Sequence, residues 1–395
     1  MIGGGQPGGM ILHVLNSSKV GGVEGAVLRN VAALGERVAT VFLLEDRCPG
    51  GTAGRDFAAA LGLPVSEIQV RSRIDRQAVR DLAAEFERLS PRIVHAHDVK
   101  ASTYALLAAK LAGNGAALFS THHGIHGRPD GRTRFYERFY TRVVLPRYDR
   151  VLSVSLADGE ELAEMLGPRV RVHMNGVDGR PVAVEDRPRV RAEIRAAWPK
   201  LPQDAAILGV VARLSPEKGH ARVLDVCAAL KQRHPALPWH LICFGGGPLA
   251  GTLARRTAAL DLEDRVTWAG LRPRVGEELA GLDVLLSMST AEGLPLNVIE
   301  AGWAATPVIA TAVGGTTDLL GDPPAGVLVP PWEAAGTTAD RVAELLANPS
   351  LASALGKALQ ARVAARFSGT VWRERLLELY RPFLEGEPLY RRQHG

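Results

Sequence analysis

Cysteine is scarce in this 395-residue chain: Cys48, Cys227 and Cys243 stand far apart, with no Cys-x-x-Cys pair. A disulfide framework or a cysteine zinc site needs an even set or clustered ligands, so a reducing cytoplasm is the expected setting. No uninterrupted apolar stretch reaches the ~18–20 residues of a membrane span, which limits expected membrane contact to the surface. Met1–Met10 is glycine-rich, with neither a basic start nor an apolar run, and does not read as a signal peptide. Residues 1–9 are expected to form a flexible leader. No Asp-x-Asp motif offers itself to a divalent ion, and no segment repeats with a period of ~20–50 residues.

What is present is an ordinary globular balance, 46% hydrophobic and 23% charged, which excludes the disordered and fibrous classes. The formal charge of +5 is mild for this length, and the excess is local. Between Arg128 and Arg150, seven arginines stand against Asp130, Glu137 and Asp149. Such a stretch reads as one anion-facing patch and not as a basic protein throughout.

Short apolar runs alternate with longer amphipathic ones, the pattern of βα units around a parallel sheet. In the first half the strand-like runs are Ile11–Leu15, Val38–Leu44, Arg92–His95, Ala116–Ser120, Val151–Val154 and Val170–Val172. Residues 179–205 break the rhythm with several prolines. It resumes at Ile207–Val211, His240–Phe244, Val266–Trp268, Val284–Leu286, Val308–Ile309 and Val327–Val329. The expectation is an α/β protein of two doubly wound, Rossmann-like domains. Residues 10–180 form the first and 206–365 the second, with a linker region at 181–205. Helices at 366–395 are expected to pack back across the domains. Ligands of such sheets bind at the carboxyl ends of strands, so a central cleft is the expected site.

The second half carries the sharper signals. Ile207–Val211 runs into Ala212-Arg213-Leu214-Ser215-Pro216-Glu217-Lys218-Gly219, two long cations around a tight turn at a strand end. Arg213 as a planar fork and Lys218 as a point charge suit a diphosphate; a solvated basic loop is the plainer reading. Val284–Leu286 leads to Glu292-Gly293-Leu294-Pro295-Leu296 and then Glu300. Gly293 and Pro295 mark a sharp entry into a helix whose free N–H groups make an anion site. Glu300, one turn in, suits ribose hydroxyls, and Glu292 suits a hydroxyl or the orientation of the loop; both could equally be surface charges.

Glu292 and Glu300 with seven residues between them, Thr306-Pro307-Val308-Ile309-Ala310 beyond, and the Arg213–Lys218-Gly219 turn upstream resemble the signature of family 4 glycosyltransferases. Asn175-Gly176-Val177-Asp178, Gly245-Gly246-Gly247-Pro248 and Gly314-Gly315 agree, in order, over most of residues 10–380. The resemblance implies the GT-B fold, two facing Rossmann-like domains, and transfer with retention of anomeric configuration. It implies that Arg213 and Lys218 neutralise the donor diphosphate and that Glu300 holds the ribose. Glu292 and Gly293, Leu294, Pro295 and Leu296 would meet the donor sugar and phosphates. Asp318 stands where the family often has Glu, and Leu271-Arg272-Pro273 does not fix the base.

In the first half, Gly21 and Gly22 precede a helix and allow close backbone approach to a phosphate or sugar, or simply make a tight turn. The resemblance makes them part of the loop over the donor sugar and acceptor. Thr121-His122-His123-Gly124 ends a strand, and the family pattern matches His123. His122 and His123 could form half a metal site, but no third ligand is evident, so no metal is expected. His97 and Asp98 end another strand and are expected on the acceptor side. Residues 132–148 interleave arginine with aromatics at helical spacing. They read as a core-facing helix with a solvated basic face, or as a peripheral contact with anionic lipid at the inner membrane face.

The function these readings imply is a cytoplasmic, retaining, metal-independent hexosyltransferase that uses no cofactor. It would take a nucleotide sugar, UDP-sugar before GDP-sugar, and a hydroxyl acceptor in bacterial polysaccharide, glycolipid or glycosylated-metabolite synthesis. The rivals are a nucleotide-sugar epimerase of GT-B fold and a non-enzymatic basic binding protein. A nicotinamide dehydrogenase is a third, though the glycine spacing at Gly245–Gly247 is wrong for it. No nucleic-acid motif is present.

Overall fold

The structure is a computed structural model that describes residues 9–16, 22–35, 37–45, 53–72, 74–124, 131–182, 186–199, 201–272 and 275–386. The chain divides into two units, Met1–Gly176 with Gly369–Gly395, and Val177–Ser368.

The first unit is built on seven parallel strands: β1 (Ile11–Leu15), β2 (Val38–Glu45), β3 (Val65–Val70), β4 (Ile93–His97), β5 (Ala117–His122), β6 (Arg150–Ser153) and β7 (Val170–Val172). Their spatial order is β3-β2-β1-β4-β5-β6-β7. The chain steps outward from β1, then returns to lay β4 against its other side, so the direction of winding reverses between β1 and β4. Both sheet faces are covered, which is why the strands are apolar runs and not alternations. On one face Leu12, Val14, Val94 and Leu118 join a core with Tyr104, Tyr140 and Tyr148. On the other, Ile11, Leu15, Ile93 and Phe119 pack with Trp372, Leu376, Tyr380 and Phe383 from the helix Gly369–Glu385.

The second unit repeats the plan with six strands: β8 (Ala206–Val211), β9 (Trp239–Phe244), β10 (Val266–Gly270), β11 (Val284–Ser287), β12 (Val308–Thr311) and β13 (Val327–Val329). The order is β10-β9-β8-β11-β12-β13, all parallel, with the reversal between β8 and β11. Residues 181–205 include the helix Arg187–Ala197, whose Arg191 is paired with Asp283 at 2.7 Å; this stretch belongs to the second unit.

The 132–148 stretch is not one helix. An α-helix over Gly131–Phe139 passes into a π-turn at Tyr140–Val144 and a 3-10 turn at Leu145–Arg147, where Pro146 precludes continuation. Tyr140, Val144, Leu145 and Tyr148 are buried, while Phe135 and Val143 are exposed. Among the described residues no helix is long and apolar enough to cross a membrane.

Candidate functional site

In the second unit the reversal point is where β8 and β11 deliver their loops, and ligands of open α/β sheets bind at such points. The β8 loop closes as a 3-10 turn, Pro216–Lys218, ended by Gly219 in a left-handed conformation (φ 66°). Only glycine fits there: a Cβ on Gly219 would lie 1.8 Å from the Met288 carbonyl oxygen of the β11 loop. Thr290 N donates to the Glu217 carbonyl at 2.9 Å, so the two loops share a backbone bond as well.

The side chains meet across this seam. Lys218 Nζ donates to Glu292 Oε1 at 2.7 Å and to Oε2 at 2.9 Å, and Ser289 Oγ donates to Oε1 at 2.6 Å. Glu292 is buried, at 8% exposure, and Lys218 is partly exposed. The carboxylate therefore orients the ammonium, and Arg213 lies exposed five residues before it. Gly293, Leu294 and Pro295 are buried and Leu296 half-buried where the helix Leu296–Trp303 opens. Asn297 Nδ2 donates to the Val211 carbonyl at 3.0 Å, fastening that helix start to the end of β8. Gly315 N donates to the Gly293 carbonyl at 2.8 Å, so the β12 loop braces the turn from behind. Glu300 is half-buried within the helix. The structure thus joins Lys218 to Glu292, while Asn297 and Ser289 are supports that motif reading did not single out. His220, the first residue of the next helix, is also buried; burial first, and the Lys218 charge second, bring it down to about 4.

In the first unit, Gly22 opens the helix Gly22–Ala32 after β1, and Gly21 lies outside the described residues. Asp98 opens the helix Asp98–Ala112 with φ 80°, and its Oδ1 accepts from Lys100 N at 2.7 Å and Ala101 N at 2.9 Å. It acts as a helix cap, in a strained backbone conformation of the kind found at ligand sites. Burial pushes its carboxyl up to about 7 against the effect of those two bonds.

His97 and His123 belong to a buried histidine cluster. His13 of β1 stands in register with His95 of β4, and His95 and His97 share a face because strand side chains alternate. His13 Nδ1 meets His97 Nε2 at 3.0 Å, and His97 Nδ1 meets His123 Nε2 at 3.3 Å. His95 Nδ1 meets Tyr380 Oη at 2.5 Å, and its Nε2 meets Thr121 Oγ1 at 2.7 Å. His122 points to the other face and stacks on Tyr140. Burial lowers His13 to about 3, His123 to about 4, and His95 and His97 well below their ordinary range, so all four are neutral. His13, His95 and His97 bring nitrogens within 4.8 Å of one another, a spacing an ion would accept. Their six ring nitrogens are nonetheless engaged in hydrogen bonds inside the protein, the last being His13 Nε2 to Tyr380 Oη at 3.5 Å.

Comparison with known proteins fits both units. The family described as "Glycosyltransferase Family 4" matches residues 20–179, and "Glycosyl transferases group 1" matches residues 191–362. A protein of Saccharomonospora viridis named D-inositol 3-phosphate glycosyltransferase is 30% identical over 64% of this chain and 59% of its own length. The match to a protein of the same name from Salinispora tropica covers 41% of that protein, so the chain spans about half the length of these relatives. EpsD of Bacillus subtilis, named a putative glycosyltransferase, is 26% identical over 80% of this chain and 84% of its own. Among solved structures, Anabaena Alr3699/HepE in complex with UDP superposes with a TM-score of 0.79 at 20% identity, covering 94% of this chain and 99% of that one. WaaG, described as a glycosyltransferase of lipopolysaccharide biosynthesis, superposes at 0.70 with 15% identity over 94% and 99% of the two chains. With the paired parallel sheets these neighbours identify the GT-B fold, and the chain belongs to the family 4 glycosyltransferases, with the group 1 domain as its second half.

Proposed function

We propose that the protein is a retaining, metal-independent glycosyltransferase that moves a sugar from a nucleoside diphosphate sugar, UDP-sugar first, to a hydroxyl acceptor. The observation that carries this reading is the Lys218–Glu292 pair, which unites the two motifs at the sheet reversal of the second unit. Transfer leaves negative charge on the departing diphosphate while positive charge builds on the sugar ring. Fixed electrostatic stabilisation of that leaving group is the largest contribution such a site can make. Arg213, Lys218 and the N-terminus of the helix Leu296–Trp303 supply it from this chain's own groups. Glu292 holds the ammonium in place, and Glu300 takes the ribose. The UDP preference is supported by Alr3699/HepE, whose solved forms carry UDP and UDP-glucose.

In the first unit, Gly21, Gly22 and His123 are the groups offered to sugar and phosphate, with His97 and Asp98 on the acceptor side. Retention is assigned to a front-face route in which the departing phosphate assists the acceptor hydroxyl, because Glu292 is committed to Lys218 and Ser289 and is not a nucleophile. The acceptor class remains polysaccharide, glycolipid or glycosylated metabolite, handled in the cytoplasm or at the inner membrane face.

A thermal-shift series with UDP, GDP, ADP and their sugars tests this. Binding stabilises by about 2.7 kcal/mol at a hundredfold excess over Kd, so the true donor nucleotide stands out at saturation. No shift with any of the three nucleotides rejects the assignment.

A further inference from the structure

The buried contacts around β1, β4 and β5 form one unbranched path. Thr121 Oγ1 meets His95 Nε2 (2.7 Å), His95 Nδ1 meets Tyr380 Oη (2.5 Å), and Tyr380 Oη meets His13 Nε2 (3.5 Å). His13 Nδ1 then meets His97 Nε2 (3.0 Å), and His97 Nδ1 meets His123 Nε2 (3.3 Å). The far nitrogen, His123 Nδ1, is buried and has no partner among the described residues. Every ring is entered at one nitrogen and left at the other.

A neutral imidazole carries a single N–H, so each ring donates on one side and accepts on the other. Tyr380 likewise has one O–H to give. These rules leave two ways to satisfy every link that also keep the Tyr380 O–H donating within the path. If Thr121 donates into the path, all four histidines carry their proton on Nδ1 and His123 presents an N–H at its open end. If the path runs the other way, all four carry it on Nε2, Tyr380 donates to His95, and His123 presents a bare lone pair. Any other assignment places two hydrogens or two lone pairs face to face at a link, or turns the buried Tyr380 O–H away from both rings with no acceptor in the path.

We propose that His13, His95, His97 and Tyr380 are positioning residues whose hydrogen-bonded path sets the tautomer of His123, so that its Nδ1 meets a substrate hydroxyl or phosphate oxygen as one defined partner, donor or acceptor. This rests on the reading of His123 as a substrate-facing group. It goes beyond that reading by assigning a role to His13, His95 and Tyr380, which no motif marks. Reversal moves one proton within each ring and across each link, and no net charge is created. That matters here because burial holds the four rings neutral.

The test uses full-length, ligand-free protein labelled with 15N-histidine at about pH 7.5, where long-range 1H–15N correlations separate the two neutral tautomers. The four rings are expected to share one tautomer, all Nδ1–H or all Nε2–H. Tyr380→Phe cuts the path, and His95 should then become independent of the other three. His97→Phe should leave His123 populating both tautomers. A thermal melt shows whether each variant is folded, and Tyr380→Phe, which keeps the ring, serves if His97→Phe is not. Mixed tautomers in the wild type, or a His123 signal that neither variant changes, overturn the proposal. So does one equivalent of tightly bound zinc that His97→Phe removes, since the rings would then be ligands. The spectra need no substrate, so they stand apart from the nucleotide thermal shifts: either result can fail while the other holds.

Discussion

Lys218 and Glu292 lie 74 positions apart in sequence, yet the ammonium reaches both oxygens of the carboxylate. The pair is unequal, because Glu292 is buried while Lys218 keeps partial access to water. Removing the lysine leaves a buried carboxylate with only the Ser289 hydroxyl. Loss of one partner of a fully buried pair costs about 3–5 kcal/mol, and solvent access at Lys218 reduces that here to about 1–3 kcal/mol. Lys218→Ala should therefore lower stability even without ligand, and Lys218→Ala/Glu292→Ala should lose less than the sum of the single changes. Turnover separates structure from chemistry. If the lysine serves the diphosphate, the double variant stays at least about a hundredfold down in kcat/KM; recovery of turnover in the double variant would reduce Lys218 to a structural role.

Gly219→Ala probes the same seam through the backbone. The added methyl group meets the Met288 carbonyl at 1.8 Å, and the φ of 66° disfavours any side chain. The two loops must separate, at a cost of about 1–3 kcal/mol. Nucleotide affinity should fall by more than tenfold in calorimetry while the melt remains cooperative. Unchanged affinity would show that the loops do not need this approach.

Much of this was legible in the sequence, and the exceptions share a cause. The apolar runs found the strands wherever both sheet faces are covered. β3 (Val65–Val70) escaped because it is an edge strand in which Ser66, Glu67 and Gln69 interrupt the run. The helix after β4 starts directly at Asp98, because that side chain caps it. Motif spacing singled out Lys218 and Glu292 separately but could not say that they touch. The histidine path was out of reach for a similar reason. His13 sits inside the apolar run Ile11–Leu15, and its link to His95 runs through Tyr380, more than 280 residues further along the chain. Residues 132–148 kept helical spacing in sequence, but the π-turn rotates the later aromatics into the core.

Stability of the first unit should fall with acid. The buried His13, His95, His97 and His173 and the half-buried His123 all have folded pKa values lowered from the ordinary 6.5, with His13 near 3 and His123 and His173 near 4. The unfolded chain binds more protons between those values and 6.5. The stabilising contribution is thus complete above 6.5 and drains away as pH drops towards 4, by up to about 1.4 kcal/mol per group per pH unit. Asp98 works in the opposite sense: raised to about 7 from 3.8, it gains stability over the same descent. Five groups outweigh one. The melting temperature should drop steeply between about pH 6.5 and 5, and a flat profile there would show the rings to be accessible to protons.

Turnover should survive chelation. In the proposed site the charge on the leaving diphosphate would be met by Arg213, Lys218 and a helix terminus, and no Asp-x-Asp motif stands in the sequence to bring an ion to it. Activity in excess EDTA should equal that of the untreated enzyme. Complete loss, restored by manganese or magnesium, would require an ion at the diphosphate and redraw the site.

Contact with anionic membrane surfaces is the last expectation, and the structure narrows it. Of the aromatic and aliphatic residues in 132–148, Tyr140, Val144, Leu145 and Tyr148 are committed to the core. Phe139 packs partly buried against the same core and Tyr136 is half-buried, so the exposed apolar side chains are Phe135 (68% exposed) and Val143 (40%), beside the exposed Arg138, Arg142 and Arg147. Each basic residue near a phosphatidylserine-rich surface contributes about 1 kcal/mol, so three give weak binding that salt screens. Vesicles with anionic lipid should sediment the protein at low salt and release it near ~0.5 M, and neutral vesicles should not bind it. Reversing the three arginines to glutamate should abolish sedimentation without lowering the melting temperature, because none of them belongs to the buried set. Failure to sediment at low salt would leave this face as an ordinary solvated surface.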